Sequence, residues 1–216
     1  MKTITTNVFE LSELSPRAKE KAREWYRSIP GMWDGEFTIE DAKQCLAYAG
    51  FSIDRIFYSG FSSQGDGACF EGSWGKWDGK TFPVPNVAAM KERAPLDKEL
   101  HRIAEECERI SKLFPSVSMS VKHRGHYYHQ LCPDFTVSIC DARNNEIESA
   151  NKTEKDLIKV SLDAMQWIYR QLEEDYNYAN ADEQVDETII ANGYTFTENG
   201  ERFGDFLVIF NYCPLV

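Results

Sequence analysis

The sequence contains no long apolar run. Nowhere in its 216 residues does a stretch approach the roughly 18 to 20 apolar residues that a membrane-spanning helix requires. The opening segment, Met1 to Thr6, also lacks the apolar core of a secretory signal. From these two absences we expect a cytoplasmic protein that has no membrane partner.

Closely paired cysteines are also absent, since no Cys-x-x-Cys motif occurs. A chain of this length without an export signal keeps its thiols reduced as a rule. We therefore expect small, mostly buried thiols rather than a disulfide framework or a zinc site, and we expect no metal and no cofactor. The six cysteines are Cys45, Cys69, Cys107, Cys132, Cys140 and Cys213.

Basic residues are scarce relative to acidic ones. The chain has 24 lysines and arginines against 35 aspartates and glutamates, for a formal net charge of -11. A protein that binds nucleic acid broadly through the phosphate backbone needs the opposite balance, so this class is excluded.

The negative charge is concentrated in residues 141–200, which hold fourteen acids and five bases, whereas the first thirty residues hold six bases and four acids. This asymmetry predicts either a face for a basic partner or an acidic surface that maintains solubility. The candidate partner-binding residues are Glu173, Glu174, Asp182 and Glu183.

The common catalytic signatures are missing as well. The sequence has no Gly-Lys-Ser/Thr phosphate loop, no Gly-x-Ser-x-Gly nucleophile elbow and no His-Glu-x-x-His zinc motif. The sequence thus favours binding without turnover. If the protein is an enzyme, the reaction class that fits its polar segments is nucleotide phosphodiester or phosphate hydrolysis.

Hydrophobic periodicity predicts an α+β fold. Helical spacing, with caps or terminators, occurs at 16–28, 38–50, 95–115, 153–176 and 182–192, while alternating or apolar strand-like runs occur at 3–9, 53–61, 68–74, 117–121, 135–139, 194–196 and 206–210. Residues 76–89, which contain two prolines, are expected to be irregular. We find no linker, and so expect a single α+β domain over residues 1–216: an antiparallel β-sheet with helices packed mainly on one face.

A glycine- and serine-rich segment lies between the two aromatic strands at 53–61 and 68–74. Backbone N–H groups of such a loop can bind an anion, hydroxyls and amides can bind a polar ligand, and aromatic rings can stack on a base. Asp66 can act as a base or a metal ligand. A plain Asp66-Gly67 turn is the alternative interpretation. The ligand-binding candidates here are Tyr58, Phe61, Ser62, Ser63, Gln64 and Asp66.

A second polar segment concentrates three of the four histidines, His123, His126 and His129, within seven residues. Three interpretations stay open: a zinc site completed by Cys132 or Asp134, a metal-free site for a polar ligand, and a structural turn. All three histidines are ligand-binding candidates. The candidate catalytic residues of the whole chain are His126, His129 and Asp66.

Several segments together resemble one family. They are residues 9–22, residues 57–70, the Gly125-His126-Tyr127-Tyr128-His129 motif, and residues 168–176 continued through 187–200. In the same order along nearly the whole chain, they are similar to phage and prophage proteins labelled "antitoxin of toxin-antitoxin stability system". Ser63 stands where these relatives usually carry tryptophan. The resemblance implies a phage-type protein that acts in the bacterial cytosol, and it implies no catalytic residues.

Three functional hypotheses follow. The first is a binding protein that neutralises a bacterial toxin or anti-phage defence component without turnover. The second is a protein that sequesters or cleaves a nucleotide immune signal, using the Ser62–Gly67 loop and the His123–His129 turn in one aromatic-walled pocket. The third is an acidic DNA mimic. A homo-oligomer is compatible with each of them.

Overall fold

The computed structural model describes residues 2, 5–77, 80–81, 83–114, 116–143, 145–147 and 150–204, with the side chains of residues 76–77 and 80–81 left aside. The α+β class predicted from the sequence is confirmed. The helices are α1 (Pro16–Arg27), α2 (Glu36–Ala47), α3 (Val87–Arg93), α4 (Lys98–Ser111), α5 (Asn151–Ala179) and α6 (Asp182–Ala191). The strands are β1 (Phe51–Tyr58), β2 (Ala68–Trp77), β3 (Lys80–Thr81), β4 (Ser116–Lys122), β5 (Asp134–Cys140), β6 (Thr195–Phe196) and β7 (Arg202–Phe203).

Contacts divide the chain into two compact units. One unit comprises the described residues up to Asp34 and from Tyr176 to Gly204, and the other comprises Gly35–Asp175. Helix α5 contributes its last four residues to the first unit and the rest to the second. The extent of a single domain from residue 1 to residue 216 stays a prediction.

The larger unit is built on an antiparallel sheet in the order β1-β2-β4-β5, with β3 paired to β2. Paired residues share a face, and one face carries the buried Phe51, Phe70, Trp74 and Met119. The helices pack on this face: the Ser161 hydroxyl of α5 contacts the Met119 sulfur at 3.7 Å. The opposite face is polar, and one row across all four strands consists of Ser52, Ser73, Ser120 and Thr136.

The smaller unit packs α1 against α6. Its core contains Leu11, Ala22, Tyr26, Val185, Ile189 and Phe196. The β6–β7 hairpin turns at Gly200, whose φ is +79° and whose missing Cβ would stand 2.0 Å from the carbonyl oxygen of Ala18. Only glycine fits this turn, and the Asn199-Gly200 pair in the sequence is typical of a tight hairpin.

The four long strands of the main sheet and the starts of α1 and α6 were predicted correctly. Residues 53–61 and 68–74 correspond to β1 and β2, and residues 117–121 and 135–139 lie within β4 and β5. Ser15, which stands before Pro16, is the N-cap that the sequence predicts for α1. Ser15 caps α1, since its hydroxyl accepts a hydrogen bond from the amide of Ala18 at 3.3 Å.

The Thr38-Ile39-Glu40-Asp41 pattern predicts a capping box, but helix α2 begins two residues before Thr38, at Glu36. Gly35, with a φ of +67°, precedes it, and the Thr38 hydroxyl donates to the Asp175 carboxylate at 2.9 Å instead of capping the helix. The Thr38 hydroxyl, which the local pattern predicts to be a helix cap, thus forms a tertiary hydrogen bond instead.

Three other predictions differ from the structure or lie outside its described part. The described residues 5–9 form no strand, only an isolated bridge between Phe9 and Phe196, because β6 is just two residues long. The region predicted to be irregular contains β3 and the first three residues of α3, and Asn86 caps α3 directly after Pro85. The predicted strand at 206–210 lies outside the described residues.

Over the described part of the chain, no helix is both long and apolar enough to cross a bilayer.

Candidate functional site

Asp66 holds the loop between β1 and β2 in shape. Its Oδ2 accepts hydrogen bonds from the backbone amides of Ser62 at 3.0 Å and Ser63 at 2.7 Å, and its own amide donates to the Ser63 carbonyl. The carboxylate therefore acts as a local loop acceptor, which is the turn interpretation of this segment.

The base of the same loop is closed by a second pair of hydrogen bonds. The amide of Ser59 donates to the carbonyl of Gly67 at 3.0 Å, and the amide of Gly67 donates to the hydroxyl of Ser59 at 3.1 Å. Beyond this closure, Ser62, Ser63 and Gln64 are exposed at the tip. Their side chains are available to a ligand or a partner, whereas the loop backbone is internally bonded.

The structure brings the two polar segments into contact. A Cβ added to Gly67 would lie 2.8 Å from both Cα and Cβ of His129 and 3.6 Å from Oε1 of Gln130. The histidine turn thus packs on the base of the Ser62–Gly67 loop.

His123 belongs to an aromatic cluster on the polar face of the sheet. Its ring stacks on Phe57 with centroids 4.6 Å apart, Tyr128 lies 5.7 Å from Phe57, and the Arg55 guanidinium carbon lies 4.6 Å from the Phe57 ring centre. Nε2 of His123 is 2.8 Å from the carbonyl of Tyr127. Since a carbonyl only accepts, Nε2 carries a proton, and this histidine fixes the turn.

The other two histidines differ from each other. Nδ1 of His129 accepts a hydrogen bond from the amide of Leu131 at 3.2 Å, so that nitrogen is unprotonated in this arrangement. His126 is exposed and has no hydrogen bond among the described residues. Nearby, Arg124 forms an exposed ion pair with Asp134 at 2.8 Å.

Tyr58 and Phe61 stand at the other side of the loop, with ring centroids 6.2 Å apart. Phe61 also packs on Tyr169 of α5 at 5.5 Å, and the Tyr169 hydroxyl donates to the carbonyl of Gly60 at 3.2 Å. Burial, followed by the charges of Glu173 and Asp66, raises the pKa of Tyr169. Helix α5 therefore anchors the loop through a tyrosine.

Sequence reasoning missed Arg55, Phe57, Tyr128 and Tyr169 as members of this region. Arg55 and Phe57 are paired with Glu71 and Cys69 and so share the polar face of the sheet. The alternation of residues along β1 was the sequence signal that could have placed Arg55 and Phe57 on this face. Tyr169 carries no such signal, because its loop contact is 109 residues distant in the chain.

The thiols beside the site are protected. Burial, followed by the neighbouring Cys132 and Glu71, raises the pKa of the fully buried Cys69 to about 12, so it stays protonated at neutral pH. Cys45 and Cys107 are buried and free as well, and Cys132 and Cys140 are partly exposed and free. Cys213 lies outside the described residues.

No metal cluster is found in the described part of the chain: nowhere there do three histidine, cysteine, aspartate or glutamate side chains meet in a ligating arrangement. Each of the two histidine bonds described above uses one ring nitrogen and leaves the other, Nδ1 of His123 and Nε2 of His129, without a hydrogen bond to a described residue. The zinc interpretation and the two metal-free interpretations of the histidine turn therefore stay predictions.

The predicted acidic face is only partly available. Asp182 is ion-paired with Arg23 at 2.5 Å and Arg27 at 2.6 Å, and Asp186 accepts two hydrogen bonds from Arg23, at 2.7 and 2.8 Å. The basic α1 and the acidic α6 are thus partners of each other. This pairing removes two carboxylates from the set that a DNA mimic would present. Of the remaining candidates, Glu174 and Glu183 are exposed and Glu173 is half-buried.

Comparison with curated proteins and with solved structures finds no match to the chain. A family model described as a domain of unknown function, DUF8835, matches residues 33–182, which include every residue of the two polar segments. Because this match takes in more than half of the chain, the protein belongs to the DUF8835 family.

Proposed function

We propose that this protein is a cytoplasmic binding protein that neutralises a bacterial toxin or an anti-phage defence component without turnover. The observation that carries the proposal is that two of the candidate catalytic residues, Asp66 and His129, are hydrogen-bonded to backbone amides of the loop and the turn. Asp66 holds the amides of Ser62 and Ser63, and His129 Nδ1 accepts from the amide of Leu131. Both side chains thus help to hold the loop and the turn in shape, which supports a role as a binding surface.

The surface that these groups shape suits a protein partner. Tyr127 and Leu131 of the histidine turn are each 72% exposed. Exposed aromatic and aliphatic side chains on an internally bonded loop are typical of contact residues, because little conformational entropy is lost when a partner covers them. The type of partner is taken from the resemblance to phage and prophage antitoxins.

Affinity capture from a bacterial lysate, followed by native mass spectrometry of the purified pair, tests this function. The expected result is a complex of fixed stoichiometry in which the partner keeps its mass. Recovery of a partner that has been cleaved or modified, or of no partner at all, would overturn the proposal. The double variant Tyr127→Ser/Leu131→Ser should weaken capture, and Val84→Ser, which also removes an exposed apolar side chain, is the matched control.

A second candidate function, sequestration of a nucleotide signal, is favoured by the contact between Gly67 and His129. That contact places a hydroxyl-rich loop beside a turn with exposed His126 and Arg124.

Heat denaturation of the purified protein, with mass spectrometry of the released small molecules, tests the second candidate. An intact nucleotide in the supernatant supports it, and its loss in Arg124→Ala would locate the site. An empty supernatant, from protein purified out of infected cells that make the signal, would contradict it.

A further inference from the structure

The outer edge of β5 is open over most of its length. Strand β5 ends the sheet order β1-β2-β4-β5. At its far end the amide of Ile147 donates to the carbonyl of Ile139 at 2.9 Å, and Cys140 bridges Glu146 in antiparallel fashion. Among the described residues, no other segment pairs with this edge.

That single hydrogen bond fixes which groups of β5 point outward. In a strand the amide and carbonyl of one residue point to the same side, and the direction alternates along the chain. Since Ile139 directs its carbonyl outward, Val137 and Phe135 direct their amides and carbonyls outward too. The chain's own segment 145–147 thus occupies the first rung of this edge, and no other described residue pairs with the next two.

A pocket lies beside the open rungs. It has a volume of about 260 Å³. Val137 and Ile139 line it with side chains on the face that β5 shares with Met119 and Val117, the face that the helices cover. Ligand pockets usually measure ~300–1,000 Å³, so this one suits one or two side chains rather than a small molecule.

The pocket rim is acidic. Besides the apolar Val137, Ile139, Ile147 and Ala150, the lining contains Asn151, Glu146 and Glu154. Glu146 is bridged to Cys140 and so directs its side chain to the opposite face of the sheet, which leaves Glu154 as the acid on the pocket side. Both glutamates are exposed, and neither has an ion pair among the described residues. No cation lines the pocket, so the charge complement is a basic side chain.

We propose that the β5 edge, defined by Phe135, Val137 and Ile139, binds an extended segment of a partner protein by strand addition. The added strand pairs with the free amides and carbonyls, inserts an apolar side chain into the pocket, and sets an adjacent lysine or arginine against Glu154. This inference rests on the proposed function in one respect, the existence of a protein partner.

Peptides selected on the full-length protein from a random 12-residue display library provide the probe. We expect selected peptides to alternate apolar residues and to carry lysine or arginine beside the anchoring one. Fluorescence anisotropy of the synthetic peptides should show that N-methylation at every second residue abolishes binding in one register and spares it in the other. Failure to select any peptide, or equal binding in both N-methylation registers, would overturn strand addition without requiring a change in the protein.

Substitutions in the protein give a second test. Val137→Pro removes an outward amide that the β4 pairing does not use, and we expect at least tenfold weaker peptide binding with an unchanged circular dichroism spectrum. Glu154→Lys should weaken binding of the basic peptides and restore binding of peptides whose lysines and arginines are replaced by glutamate. The control Asp54→Lys makes the same charge change at one exposed carboxylate outside the pocket. Unchanged binding by Val137→Pro, or an equal effect of the control, would overturn the proposal.

The outcomes separate this inference from the proposed function. If wild type and Val137→Pro capture the same partner equally well, the proposed function stands and the edge site falls. If peptides bind the edge but no partner protein is captured, the edge site stands and the proposed function falls. If wild type is dimeric in sedimentation analysis and Val137→Pro is monomeric, the occupant is a second copy of this chain and the proposed partner is wrong.

Discussion

Gly67 lies directly against His129, and there is no room between them for a side chain. A Cβ at residue 67 would be 2.8 Å from the Cα of His129, closer than carbon atoms pack. Because the atoms it would meet belong to a backbone and a Cβ, they cannot rotate away. This contact couples the Ser62–Gly67 loop to the histidine turn.

Replacing Gly67 with alanine should therefore destabilise the protein through overpacking, by about 1–3 kcal/mol. Urea unfolding followed by tryptophan fluorescence measures the change in the free energy of unfolding. Ser63→Ala, at the exposed loop tip, is the matched control and should change it by less than about 0.5 kcal/mol. Equal stability of Gly67→Ala and wild type would show that the two segments do not pack together.

Asp66 should behave as a structural acceptor. Asp66→Ala removes the acceptor of two backbone amides and should cost about 1–2 kcal/mol, whereas Asp66→Asn keeps a side-chain oxygen and should cost less. Thermal unfolding of the two variants gives the comparison. If Asp66→Asn abolishes a measured turnover of the protein while preserving its stability, Asp66 is a catalytic base and the structural account fails.

The pairing of Arg23 with Asp186 should make stability depend on pH. The hydrogen bonds from Arg23 lower the pKa of Asp186. A carboxylate of this kind stabilises the fold above its unfolded pKa of about 3.9, and the contribution is lost as the pH falls through its folded pKa. Asp186→Asn should thus lose about 1–2 kcal/mol at neutral pH, since both partners are largely shielded from solvent.

Urea unfolding at pH values from about 7 down to 3 checks this sign. The gap between wild type and Asp186→Asn should stay constant at neutral pH and narrow below about pH 4. Glu198→Gln, at an exposed carboxylate, is the control and should show no gap at either end. A gap that widens on acidification would contradict the assignment.

Asp182 and Glu183 are neighbours in the first turn of α6 with different expected roles. Asp182→Asn breaks ion pairs with Arg23 and Arg27, so it should lower the melting temperature and leave partner capture unchanged. Glu183→Gln removes an exposed charge, so it should leave the melting temperature unchanged, and it reduces capture if the acidic face binds a partner. Melting and capture measured on both variants decide between the two roles.

The thiols should react in an order set by burial. Burial raises the pKa of Cys45 to about 11 and that of Cys69 to about 12, and Cys107 is fully buried. Iodoacetamide at mildly alkaline pH should therefore label Cys132 and Cys140 first, since the thiolate is the nucleophile. Peptide mass spectrometry over time gives the order, and early labelling of Cys69 would show that the histidine turn opens readily.

The helices and strands could be predicted from the sequence wherever the local sequence signal agreed with the tertiary contacts. Alternation in β4 and β5 and the Ser15 cap of α1 gave correct assignments, because each side chain does in the structure what its neighbours in the chain suggest. Thr38 shows the limit. Its hydroxyl bonds to Asp175, 137 residues away, and α2 begins at Glu36 instead.

Only part of the candidate site could likewise be predicted from the sequence. Composition located both polar segments, since glycine, serine and histidine are concentrated there. The groups that Asp66 and His123 contact could not be predicted from the sequence. The geometry of the loop and the stacking of His123 on Phe57 depend on how β1, β4 and the turn pack together. Composition therefore pointed to two segments that the structure brings into contact, but it did not show that Asp66 and His123 support the loop and the turn.

The most direct test of binding without turnover is a titration of the captured partner's activity with this protein. The account predicts that inhibition rises linearly and is complete at a fixed molar ratio, and that denaturing the complex returns the partner unmodified. Complete inhibition by a small fraction of an equivalent, growing with incubation time, would show catalysis and contradict the account.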